Sequence, residues 1–435
     1  MGCVRSVGTV FSPLDEELGL LPVRITPHAH ECLVRFGSRM PFEKAAEELA
    51  MTLKVEVSEP TARRYTLAAG SAAEARQTQE VERLEREAPI PTAKPEKLFF
   101  SADGAMVPLV GGEWAEVKTL TLGEIERNSS SEAPQLEKEE WVVHSREHSY
   151  FSRLCEASEF RRLALVETQR RGVENAKVIA AVTDGAEWEQ GLIDFHCPQA
   201  TRILDFAHAA ERIWESGQAA WGEDSPQVGQ WAEEQLHRLK HAGPGDVLTE
   251  LHRLCEQHPD SEVLQENLAY LKKREPHLQY PQFQAQGLPI GSGAMESGNK
   301  VVVEARLKGA GMHWARPHIN PMLALRNSLC SQRWQENWPQ VIAGLHQQAN
   351  ERRAALHRKR QVITSAPVSP AATKEIRPPE SPRPTAPTNP PPPPSQTAPE
   401  SHASPKTARP APNHPWRRSP IGRAKFWPAD HFAKN

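Results

Sequence analysis

Within residues 177–221 the chain alternates between two local patterns, and this alternation limits the possible folds more than any other feature. "KVIAAVTDG" is a short apolar run ended by Asp-Gly, and "EWEQGLIDF" has helical spacing. "ATRILDF" is a second short apolar run, and "AHAAERIWESGQAAW" is helical again. Short runs that are apolar at successive positions are strands buried on both faces. When each such strand is followed by a helix, the helices are what cover the sheet. Upstream, "KLFFSADGAMVPLV", "WAEVKTLTLGEI" and "EEWVVHSREHSYF" are extended segments with Gly-rich or polar connections, which predicts an antiparallel meander. The helical segment "EASEFRRLALVETQRRG" joins the two parts. The predicted order is therefore strand, strand, strand, helix, strand, helix, strand, helix. This is an α/β (α+β) chain with a mixed five-strand sheet, in the order of a ribonuclease-H-like domain.

The remaining segments of the 435 residues are arranged around that sheet. In residues 1–70, Phe42, Ala45, Ala46, Leu49 and Ala50 share one helical face, and after a break at residues 55–57 a second helix opens with Ser58, Thr61, Arg63, Arg64 and Tyr65. Helix, short turn and a Ser/Thr-initiated helix carrying arginines predict a helix-turn-helix-like DNA-binding region in which Arg63 and Arg64 read DNA. A plain helical hairpin has the same periodicity. Residues 71–95 are expected to be a charged linker, helical or extended, running into Pro89, Pro91 and Pro95, and residues 96–224 the first part of the core. Residues 225–286 are expected to be an all-helical insertion, with Leu248, Leu251 and Leu254 on one face. Residues 287–362 return to the core with a Glu-bearing helix. Residues 363–435, including "PPESPRPTAPTNPPPPPSQTAPESH", contain almost no aliphatic side chains and are predicted to be a disordered Pro-rich tail.

A formal charge of -3 and a pI near 6.7 exclude a protein that coats nucleic acid by its overall charge, so any DNA contact must be local. Six scattered cysteines without a CxxC pair give neither a zinc ribbon nor a disulfide framework and fit a reducing cytoplasm. No apolar run reaches the roughly 18 residues of a membrane span.

Three acids stand out. Asp103 lies in "FFSADGAMV", Asp184 ends the fourth strand, and Glu296 follows "GLPIGSG" on a predicted helix. In a ribonuclease-H-like sheet the first and fourth strands are adjacent, so the two aspartates can sit side by side while a later helix brings the glutamate across. Taken singly, Asp-Gly is a common turn former and Glu296 a surface acid. Gathered together, the carboxylates repel, and a divalent cation resolves the conflict. Oxygen ligands of this kind suit Mg²⁺ or Mn²⁺, and two such ions roughly 3.5–4 Å apart clamp the oxygens of a phosphodiester displacement.

The segments "SADGAMVPL", "VTDGAEW", "DFHCPQATRILDFAHAAERIW" and "GLPIGSGAMESGNKVVVEARLKGAGMHWARPHINPMLALRN" resemble the bacterial insertion-sequence transposases of the ISKra type, DDE enzymes allied to the Mutator-like group. The resemblance implies a ribonuclease-H-like catalytic domain with two divalent metal ions held by Asp103, Asp184 and Glu296. It also implies a (C/D)xxH element, here Asp205 and His208 in "DFAH". Those two would hydrogen-bond each other and position the site edge or a DNA phosphate, with Asp205 as second metal ligand the alternative. The implied activity is phosphodiester hydrolysis at transposon ends followed by strand transfer. Its partners would be the terminal repeats and target DNA, both double-stranded, bound by at least a homodimer in the cytoplasm, at the nucleoid.

Around this core, Trp188 and Trp314 are candidates for stacking on an unpaired base, against the plainer reading that both pack. Arg306, Lys308, His313 and Arg316 make the region after Glu296 basic, as phosphate contacts require, although a solvated helix face accounts for them too. Two other functions stand beside the enzyme: a DNA-binding repressor or relic without catalysis, and a structure-selective nuclease on the same fold.

Overall fold

The computed structural model describes residues 4–6, 9–11, 25–127 and 143–365. Strands β1 (Val4–Ser6) and β2 (Thr9–Phe11) pair as a small antiparallel ribbon. Three helices follow, α1 (Pro27–Gly37), α2 (Phe42–Leu53) and α3 (Glu59–Glu87). Thr26 caps α1 by accepting from the Ala29 amide, and a left-handed Lys54 ends α2. Leu33, Ala46, Leu49 and Ala62 bring the three together in one small core. The helix pair expected at residues 42–70 is present, with α1 as a third member that the sequence reading did not include.

Helix α3 runs through the boundary expected at residue 70: residues 71–87 are helical, and they continue the same 29-residue helix as the arginine-bearing segment. The helix surface is rich in Glu and Arg, while its buried positions Ala69, Ala72, Ala73, Val81 and Leu84 recur at helical spacing.

The central sheet contains β3 (Lys97–Pro108), β4 (Trp114–Arg127), β5 (Val143–Arg153), β6 (Val178–Thr183) and β7 (Thr201–Leu204), in spatial order β5-β4-β3-β6-β7. The β3–β4 and β4–β5 pairs are antiparallel, and the β3–β6 and β6–β7 pairs are parallel. The expected mixed five-strand sheet is thus present. Helices α4 (Ala157–Leu163) and α5 (Leu165–Arg170) lead from β5 to β6, α6 (Glu187–His196) crosses from β6 to β7, and α7 (Phe206–Trp221) follows β7. The period-2 rule divides the apolar side chains between two faces. Phe99, Ala180, Val182 and Ile203 meet α7, whereas Leu98, Phe100, Ile179 and Ala181 meet α4 and α6. Both faces are covered, which is why these strands read as unbroken apolar runs.

The insertion folds as α8 (Pro226–His241), α9 (Pro244–Gln257), α10 (Glu262–Lys273) and the short α11 (Tyr280–Ala285). Leu239, Val247, Leu251 and Leu271 extend the α7 side of the core. The chain returns through α12 (Gly293–Asn299), a π-helical turn at Lys300–Glu304 and α13 (Ala305–Leu307). Gly298 is required here, because a Cβ would stand 2.8 Å from Thr121 Oγ1 and 2.9 Å from Tyr150. Helix α14 (Arg316–Cys330) packs along α3 and β5, and α15 (Trp334–Ser365) closes the described chain. Residues 363–365, assigned to the tail from the sequence, are the last turn of α15, and the rest of that predicted disorder lies outside the described residues. No described helix is long and apolar enough to cross a membrane.

Candidate metal centre

Strand register brings three aspartates to one level. Pairing runs from Lys97↔Val178 to Phe100↔Ala181, and the same offset carried three residues further sets Asp103 beside Asp184. Pairing of β6 with β7 ends at Thr183↔Leu204, so the next residues are Asp184 and Asp205. Ser101 reinforces the first alignment by donating its hydroxyl to the Val182 carbonyl at 2.6 Å.

The carboxylates that meet are those of Asp103, Asp184 and Glu189. One oxygen of each lies within 4.8 Å of those of the other two. Asp103 is held from both sides, with Oδ1 accepting from the Gly104 amide at 2.6 Å and Oδ2 from the Asn299 side chain at 2.8 Å. Asp184 Oδ1 accepts from the Ala186 amide at 2.7 Å, which shapes the turn into α6. Glu189, in the first turn of that helix, is 1% exposed, and its Oε2 has no hydrogen-bond partner among the described residues.

The electrostatics follow from this crowding. Burial pushes the Asp103 carboxyl up to about 6, with the Asp184 carboxylate adding to the effect and the Gly104 amide, His208 and Asn299 opposing it. Burial, followed by the hydrogen bond to Asp184 and its charge, pushes Glu189 up to about 10. At neutral pH Glu189 therefore keeps its proton. A divalent cation fits in its place. Three hard oxygen donors converge, Glu189 Oε2 is buried with no partner among the described residues, and a dication in place of the proton would offset the repulsion that adds to the effect of burial.

Glu296 does not join the three. It is exposed on α12, with Lys300 Nζ 3.7 Å from its Oε2. Its helix nevertheless reaches the site, because Asn299 one turn later holds Asp103. Asp205 and His208 do not pair with each other as expected. Asp205 is buried and caps α7, with Oδ1 accepting from the Ala207 amide at 2.7 Å and Oδ2 from the Ser292 amide at 2.9 Å as well as from the Ser292 hydroxyl. It ties the "GLPIGSG" loop to the sheet. His208 Nδ1 instead stands 3.7 Å from Glu211 Oε2, and that contact, ahead of the charges of Asp205 and Asp184, raises its pKa.

The candidate DNA contacts separate by burial. Arg63 and Arg64 are exposed on α3, Arg64 lying 5.1 Å from the Tyr65 ring centroid. His313 and Arg316 are also exposed, and Lys308 pairs with Glu304 at 2.6 Å. Arg306 corrects the basic-patch expectation. It is 2% exposed, donates Nε to the Gly37 carbonyl at 2.9 Å and packs against Phe42 and Trp314. Trp314 is likewise buried, among Val107, Leu307 and Ile319, and bridges to Leu109. Its backbone amide donates to the Pro108 carbonyl at 3.0 Å, so the loop after α13 returns across the end of β3. Trp188 is half-buried edge-to-face against Phe160, with Lys118 Nζ 5.5 Å from its ring centroid. Both tryptophans therefore pack, the plainer of the two readings.

Two residues that shape the site were not singled out in the sequence. Glu189 had a visible signal, an acid three and four positions before Leu192 and Ile193 and hence on the buried stripe of its helix. Asn299 had none beyond standing three residues after Glu296. No known protein family and no curated protein matches the chain.

Proposed function

We propose that the chain is a metal-dependent DNA-transferring enzyme on a ribonuclease-H-like core, an insertion-sequence transposase in kind. The observation that carries this reading is the meeting of Asp103 and Asp184, level with each other along two adjacent parallel strands, with Glu189 from the first turn of α6. The strand order, three antiparallel strands followed by two parallel ones on the first strand's free side, supports the core assignment. Exposed Arg63 and Arg64 on the third of three packed N-terminal helices support a helix-turn-helix reading of DNA.

Asp103, Asp184 and Glu189 would hold Mg²⁺ or Mn²⁺. Bound there, the ions supply the positive charge that activates an attacking oxygen and steadies the leaving oxygen of a phosphodiester. The chain's own groups prepare that step. The Gly104 and Ala186 amides and the Asn299 side chain fix which carboxylate oxygens face the site. Without a cation the ionised carboxylates of the cluster repel a phosphate, so DNA and metal assist each other's binding. His208 is close enough for its charge to act on Asp103 and for that of Asp184 to act on it. Pairing of two DNA ends would bring at least two copies of the chain together.

The test incubates DNA carrying both flanks of the coding region with the full chain and Mg²⁺ or Mn²⁺, and reads cleaved and joined products. D103N and D184N should give none. Wild-type levels of product from D184N would remove the metal assignment. Tight DNA binding with no cleavage in either ion would instead favour a binding protein without catalysis.

A further inference from the structure

We infer that Arg274, presented by the helical insertion, binds a phosphodiester of the DNA strand being cut, so that the insertion is a working part of the site. This rests on the function proposed above. Tyr270, near the end of α10, donates its hydroxyl to the backbone carbonyl of Asp184. Two guanidinium groups approach its ring, Arg212 at 4.8 Å and Arg274 at 3.8 Å from the centroid. The two arginines differ in what neutralises them. Arg212 Nη1 is 3.1 Å from Glu215 Oε2 and 3.3 Å from Asn267 Oδ1. Arg274 donates only to backbone carbonyls, from Nη2 to Gly185 at 2.7 Å and from Nη1 to Tyr270 at 3.3 Å. Among the described residues it makes no ion pair.

A half-buried guanidinium with neutral partners is a cation held ready for an anion, and of its five N–H donors these two bonds leave three unused. Stacking on Tyr270 fixes its plane, and a fixed plane suits two-pronged binding of phosphate oxygens. Gly185 makes the close approach possible. Its φ is +86°, and a Cβ there would stand 2.4 Å from Arg274 Nε. The cation therefore rests against the residue directly after Asp184, next to the carboxylates whose bound ions would need a phosphate as further ligand.

The test is equilibrium binding of a fluorescent single-stranded DNA oligonucleotide to the full chain across a salt series, in Mn²⁺ and separately in EDTA, with Mn²⁺ affinity measured by magnetic resonance titration. R274A should weaken DNA binding about tenfold and reduce the slope of log affinity against log salt by about 1, leaving Mn²⁺ affinity within about twofold. R274K should restore the slope but only part of the affinity. Y270F, which removes the bond to the Asp184 carbonyl and keeps the stack, should leave the slope unchanged. An R274A protein with native circular dichroism and an unaltered slope would overturn the inference, as would lost Mn²⁺ affinity with no change in slope. The EDTA series decides the role of Arg274 even if the unaltered chain binds no Mn²⁺, an outcome that would count against the proposed function alone.

Discussion

Asn299 donates its side-chain amide to Asp103 Oδ2 across 2.8 Å, fastening the helix that carries Glu296 to the strand that carries the first acid. Glu296, one turn earlier, faces solvent beside Lys300. Substitutions at the two glutamates should therefore have different effects. E189Q removes one of the three oxygen ligands and is expected to weaken Mn²⁺ binding by at least about 10- to 100-fold, the cost of losing even a group that only supports a ligand. E296Q should leave it unchanged in the DNA-free chain. A loss in E296Q equal to that in D103N, measured by the same titration, would put Glu296 in the ligand set and Glu189 outside it.

Stability should depend on pH through the same acids. Asp103 is pushed up from 3.8 to about 6 and Glu189 from 4.5 to about 10. Each holds its proton more tightly folded than unfolded, so its contribution is complete below the unfolded value and is lost as pH rises through the folded one. In EDTA the melting temperature should fall as pH rises through the window set by Asp103, and continue falling towards alkaline pH because of Glu189. E189Q should flatten the alkaline part. Mn²⁺ competes with these protons, so it should raise the melting temperature more at about pH 8 than at about pH 5. Equal shifts at both would contradict the cluster as a metal site.

Asp205 offers a separate discrimination. As a helix cap that also holds Ser292, it should cost about 1–2 kcal/mol of stability in D205A. Mn²⁺ affinity should be retained. Strong loss of that affinity in a variant that melts normally would make Asp205 the second ligand.

For DNA contacts, burial sets the expectation. W314A should lower stability by about 3–5 kcal/mol, as large-to-small changes in a core do. Binding per folded molecule should not change. The double variant R63A/R64A should melt within about 0.5 kcal/mol of the unaltered chain and reduce the salt slope of duplex binding by about 2. An unchanged slope would remove α3 from the DNA interface.

Strand order was legible because it depends on local pattern: apolar runs such as "VIAAV" and the Asp-Gly ends mark strands whatever surrounds them. Asp103 and Asp184 were legible as acids on or at the end of such runs, and the expected sheet type put their strands side by side. The remainder depended on packing between distant segments. Arg306 and Trp314 are buried only because the loop after α13 crosses the end of β3 and meets Phe42 of the N-terminal helices. Asp205 points to Ser292, 87 positions away in sequence. Glu189 carries the buried period of its helix, but a charged residue on that stripe reads as surface unless a partner for it is sought.

The unbroken course of α3 has a further consequence. Its 29 residues form a rod of about 43 Å, roughly the length of 13 base-pair steps of duplex. The rod passes from the arginine-bearing end to the sheet without a hinge. On the proposed function, this arrangement measures distance like a ruler: the bond that is broken lies a set number of nucleotides from the recognised sequence, and cut sites would not scatter as they do when a reading head hangs on a tether.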